Sequence, residues 1–180
     1  MLLVNKCLPQ GRGLAAVLVK RASTVGLDWD TRSKSRFDAT DSSGRHLGVF
    51  LPRGQVLRGG DVLVTEDGSL VKVLAAPQPV LRITACAAHG TALDLPRAAY
   101  HLGNRHVALE VQTAHLQIEP DPVLADMLRA MHLIVSAVSA PFEPEGGAYA
   151  AAAHSHDSGH GHGHGHGHDH GHNHAGHSHG

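Results

Sequence analysis

The chain has 180 residues, with 15 Lys and Arg against 16 Asp and Glu, 18 histidines and a formal net charge of −1 when histidine is neutral. This balance excludes the basic field of a nucleic-acid-binding protein. No apolar run is long enough to span a membrane and "MLLVNKCLPQ" is too short for a signal peptide, so a cytosolic (cytoplasmic) protein with no membrane or nucleic-acid partner is expected. Cys7 and Cys86 are too few for a disulfide framework and lack a CxxC partner. They read as half-buried thiols in a reducing compartment, with a thiolate metal ligand as the lesser alternative.

Residues 1–76 read as a small all-β domain. "LAAVLVK" (14–20) is apolar enough for a buried strand. "SKSRFDAT" (33–40) and "RHLGVFL" (45–51) flank the turn "DSSG", and "VLVT" (62–65) and "LVKVLAA" (70–76) flank "EDG", so two hairpins are expected. "LPRGQVLRGGDVL" (51–63) joins them, and the two prolines of "APQPV" mark a linker at 77–79.

Residues 80–149 change pattern. "VLRITACA" (80–87) is a strand, and "TALDLPRAAYHLGN" (91–104) has helical spacing, with Pro96 placed in the first turn of a helix from about Leu95. "VALEVQ" (107–112) and "HLQIE" (115–119) alternate as strands. "PVLADMLRAM" (122–131) opens on proline and lines up Val123, Leu124, Met127, Leu128 and Met131, and "LIVSAVS" (133–139) is a last strand. The order β-α-β-β-α-β predicts a ferredoxin-like domain, so the fold class is α+β, a β domain followed by a ferredoxin-like one.

Residues 150–180 have little to bury and are expected to be disordered without metal. The stretch "HGHGHGHGHDHGHNH" (160–174) sits among twelve candidate ligands: His154, His156, His160, His162, His164, His166, His168, His170, His172, His174, His177 and His179. Imidazole suits nickel, zinc and copper, and glycine lets several rings turn toward one ion. So many equivalent donors collect metal without choosing one ion or one pose, and by the general affinity order copper outcompetes nickel and zinc. With an unperturbed pKa of about 6.5, the tail is mostly neutral at pH 7.5 and carries roughly +9 at pH 6. The interrupted pattern argues against an expression tag.

An ordered site needs donors held by regular elements. "AYHLGNRHVALEV" (99–111) offers two. His101 falls on the last turn of the predicted helix, where a histidine favours the dipole and the free carbonyls without any metal. His106 follows the Gly-Asn cap; from its own surroundings it is either a ligand or a surface histidine. "YHLGNRH" (100–106), "LPRGQVLRGGDVL" (51–63), "DPVLADML" (121–128) and "PFEPEGGAY" (141–149), with the histidine-rich tail, together resemble the UreE family of urease accessory proteins, nickel metallochaperones. The similarity runs through nearly the whole chain in order.

The resemblance implies an N-terminal domain likened to peptide-binding modules and a ferredoxin-like metal-binding domain. It implies a homodimer in which His106 meets its twin and shares Ni(2+), delivery to urease apoprotein, and an accessory complex that includes a separate GTPase. It departs in one place. Some relatives carry extra histidines before the second helix, where this chain has "IEPDPVL" (118–124) with Pro120, Asp121 and Pro122. An oxygen from Asp121, the tail, water or a partner would have to complete the coordination, and a tail that folds back is the expectation.

The cations of "SKSRF", Arg45, Arg53 and Arg58 are either solvated strand faces or a docking face for an acidic partner. Glu110 lies four residues after His106 and would share its face on one strand, mimicking an acid/base pair. No serine or cysteine motif accompanies it, and no phosphate loop is present, so an enzyme is not expected. The function expected is nickel delivery; a metal store without a delivery partner and a peptide-binding module are the alternatives.

Overall fold

Alternating apolar residues build the first half. Strands β1 (Leu2–Leu8), β2 (Ser23–Leu27), β3 (Arg36–Thr40), β4 (His46–Phe50), β5 (Val62–Thr65) and β6 (Leu70–Ala75) form one sheet in the order β2-β6-β5-β1-β4-β3. Their inward residues, among them Val4, Val25, Leu47, Val49, Leu63, Val71 and Val73, are at most 2% exposed and make one core. This computed structural model describes residues 1–146. The expected disorder of the tail, and all twelve of its candidate ligands, lie outside the described residues.

Both expected hairpins are present, β3–β4 and β5–β6. In the first turn Asp41 accepts the N–H groups of Ser43 and Arg45 and pairs with the Arg45 guanidinium at 2.7 Å. Burial would raise this carboxyl, but those hydrogen bonds hold it at about 2. Gly68 has φ +81° in the second turn, a conformation open to glycine at little cost.

The expected strand at 14–20 is instead helix α1 (Ala16–Arg21), which buries none of its residues. Val17 and Leu18 are about half exposed. A central place in the sheet is taken by β1 and an edge by β2, neither of which hydrophobic pattern alone singled out. Ala, Leu, Lys and Arg are good helix formers, and without a ladder to join, 16–21 follows local propensity. A second short helix, α2 (Trp29–Arg32), starts at Asp28, whose carboxylate accepts from the Thr31 N–H at 2.8 Å. The first half is thus β-rich with two short helices, not purely β.

The second half has β7 (Gln78–Thr84), α3 (Asp94–Gly103), β8 (Leu109–Val111), β9 (Leu116–Ile118), α4 (Pro122–Ala130) and β10 (Ile134–Ala140). Its antiparallel sheet has the order β10-β7-β9-β8, with the first and last strands central and edge, as a ferredoxin-like βαββαβ unit requires. β7 begins at Gln78, inside the stretch read as a linker, and ends at Thr84, leaving Cys86 in a loop. Leu95, Ala98 and Leu102 of α3 and Leu124, Ala125, Met127 and Leu128 of α4 pack against Leu81, Ile83, Leu109, Leu116 and Ile118. Val123 does not join them and is 75% exposed, because it lies on the first turn facing outward.

Met1–Glu145 is one compact unit, and Arg32 lies at the centre of the contacts between its two halves. Arg32 is fully buried. Its guanidinium donates to the Leu27 carbonyl at 3.1 Å, the Phe142 carbonyl and Glu143 Oε1 at 2.8 Å. Trp29 lies under both Arg32 and Arg58, with centroid distances of 5.4 and 5.1 Å, and meets Phe142 edge-on at 6.2 Å. Val80, Ala108, Val138 and Ala140 complete this small core. Arg58 donates to the Pro144 carbonyl at 2.6 Å and lies 3.5 Å from Glu143, and Arg45 is committed to Asp41. Neither belongs to a free cationic docking face.

Arg32→Met is expected to lower unfolding free energy by about 3–5 kcal/mol, since it takes the donor from three carbonyls, those of Leu27, Leu57 and Phe142, and one partner from Glu143. Breaking the exposed Lys34–Asp30 pair with Lys34→Ala should leave the unfolding midpoint nearly unchanged. Urea unfolding midpoints of the two variants check the contrast.

Candidate metal centre

Helix α3 ends in a closed turn. The Gly103 carbonyl accepts the His106 N–H at 2.9 Å, and the Leu102 carbonyl accepts the Val107 N–H at 3.3 Å. These are the two bonds of a Schellman motif, with His106 at the position that must be left-handed. Its φ is +56°. Glycine is the usual occupant; a side chain there costs about 1 kcal/mol, and histidine is among the residues that tolerate it best. Val107 and Leu102 share the core beneath, as the motif requires. The His106 side chain is left exposed on a rigid turn.

The end of α4 repeats the motif. The Arg129 carbonyl accepts from His132 at 2.9 Å, Leu128 accepts from Leu133 at 3.1 Å, and His132 has φ +63°. The conformation therefore presents an imidazole but does not by itself assign a ligand.

Around His106 the sequence candidates separate. His101 is exposed on the last turn of α3; its carbonyl accepts from Arg105 at 3.1 Å and its ring meets Tyr100 edge-on at 5.4 Å. Asp121 is the N-cap of α4, accepting from the Leu124 N–H at 2.9 Å. His106 and Glu110 do not share a strand: β8 begins only at Leu109. Glu110 is 7% exposed and both oxygens are taken, one by Gln112 Nε2 at 2.8 Å and one by the Glu143 N–H at 2.6 Å. It is a structural carboxylate, not half of an acid/base pair. Among the described residues no three His, Cys, Asp or Glu side chains are grouped to hold a metal ion.

What sequence reasoning missed is the strap at 141–145. Glu143 joins Arg32 to Glu110, and the Glu145 N–H donates to the Leu109 carbonyl at 2.8 Å, extending the edge of β8. The signal was present in "PFEPE", whose Phe142 and Pro144 are buried.

The models of the UreE urease accessory protein match this chain twice, the N-terminal domain over residues 4–76 and the C-terminal domain over residues 78–180. The chain belongs to the UreE family. It is similar to the urease accessory protein UreE of Albidiferax ferrireducens, 75% identical over 150 residues that cover 83% of this chain and 86% of the relative. The UreE of a Polaromonas species is 74% identical over 84% of this chain and 69% of its own. That of Ralstonia nicotianae is 56% identical over 83% and 69%. As a UreE protein the chain is an accessory protein of urease and not itself an enzyme. No helix among the described residues is long and apolar enough to cross a membrane.

His106→Gly is expected to stabilise the metal-free protein by about 1 kcal/mol, by relieving the left-handed backbone. Urea melts of the metal-free protein read this. His132→Gly should do the same, since its turn holds the same left-handed conformation.

Proposed function

We propose that this UreE protein is a nickel metallochaperone acting in the cytoplasm, in which His106 of two subunits shares the ion that is handed on. The observation that carries it is the match of the UreE models to both halves of the chain, and the exposed His106 imidazole on its closed turn is the donor that the resemblance singles out. Family membership supports urease maturation as the setting. A delivering site needs few ligands, open at an interface, so that a partner replaces them one at a time; a closed four-ligand site would retain its ion. One imidazole per chain on a rigid turn meets that need and is incomplete without a second subunit. Tyr100, 66% exposed on the same helix, and Val111, 47% exposed on the edge strand, offer apolar surface for the homodimer.

The tail histidines gather and buffer metal, taking zinc and copper as well as nickel. The tail supplies the ligands that Asp121 and the missing histidines do not. Urease apoprotein receives the ion, and the β domain engages the accessory complex with its GTPase.

His106→Ala in the full chain should abolish urease activation in nickel-limited cells while total nickel bound falls little. A protein ending at Tyr149 should lose most bound nickel; if it keeps full affinity at His106, the tail does not complete that site. A simple store would show the reverse dependence, failing on tail deletion and not on His106→Ala. Calorimetry with nickel on the full chain should give much weaker tail binding at pH 6 than at pH 7.5, because the rings must lose their protons to bind.

A further inference from the structure

The loop "CAAHG" (86–90) takes no part in the site around His106. It closes on itself: the Gly90 N–H donates to the Cys86 carbonyl at 2.7 Å. A Cβ at position 90 would lie 2.4 Å from that carbonyl oxygen, so only glycine permits the closure. The closed loop sets the Cys86 Sγ 3.8 Å from Nδ1 of the exposed His89 ring.

That separation fits two donors to one ion. Metal–sulfur and metal–imidazole bonds of about 2.3 and 2.0–2.1 Å spanning it subtend roughly 120° at the metal, close to the trigonal angle and about ten degrees wider than the tetrahedral one. We propose that Cys86 and His89 form a second metal site, which holds a thiophilic transition-metal ion by one thiolate and one imidazole, with water in the remaining positions.

The two cysteines are set up differently. Cys86 lies in an open loop with its sulfur against an exposed imidazole. Burial and the neighbouring Asp61 push the Cys7 thiol up to about 12, so it stays protonated. Neither has a disulfide partner. A thiolate also selects differently from imidazole: it favours soft ions such as monovalent copper, whereas imidazole alone leaves the choice to the general affinity order. The Cys86–His89 pair thus draws soft ions away from the imidazoles.

The test is an anaerobic titration of the full chain with cobalt(II) chloride. It reads the near-ultraviolet sulfur-to-cobalt charge-transfer band, which imidazoles cannot produce. The band should saturate in the unmodified protein, in Cys7→Ser and in His106→Ala. It should vanish in Cys86→Ser, and the cobalt affinity read from it should fall about tenfold in His89→Ala. Absence of the band, its survival in Cys86→Ser, or an unchanged affinity in His89→Ala would overturn the proposal. In the unmodified protein cobalt should also slow alkylation of Cys86 by iodoacetamide about tenfold; unslowed alkylation would overturn it without reliance on any variant.

Discussion

A guanidinium removed from water must find an acceptor for its donors inside the protein. Arg32 finds them in three segments far apart in the chain: Leu27, Leu57 and Phe142–Glu143. Burial lowers the affinity of this arginine for its proton, and the Glu143 carboxylate opposes that. Much of the remaining architecture follows from satisfying this one cation. Trp29 and Arg58 pack beside it, Glu143 reaches on to the Gly59 N–H, and the Glu143 N–H finds Glu110 on the opposite sheet.

The same constraint reaches the side of the molecule where the metal site is proposed. By engaging Glu110 and Leu109, the strap fixes the edge strand that begins three residues after His106. On its other flank His106 is fixed by the closed end of α3. A side chain between two anchored segments pays little ordering entropy when it binds an ion, which is what a ligand working with few companions needs. His132 has the same left-handed turn and also precedes an edge strand, β10, but the strap makes no bond to the residues beside it. Comparing the two histidines separates what a helix ending demands from what the surroundings add.

Hairpins and amphipathic helices were legible because their signals are local. Asp41 and Gly44 close one turn with their own atoms, and Leu95, Ala98 and Leu102 recur at helical spacing. The segment at 16–21 was misread because an apolar run reads equally as strand or helix, and the choice depends on which strands occupy the centre of the sheet. Glu110 was misread because spacing puts it near His106, whereas its partner Glu143 lies 33 residues away.

By itself the sequence determined the chemistry: imidazoles in number, one histidine after a helix-ending Gly-Asn pair, a βαββαβ order and a family signature. Composition and short-range pattern carry these, because ligand type and local periodicity belong to individual residues and near neighbours. Tertiary structure alone decided that Arg32, Glu110 and Glu143 form an interior clamp, that His106 stands in a left-handed turn, and that Cys86 faces His89. Those facts depend on desolvation and on contacts closed by packing, and packing is a property of the folded chain as a whole.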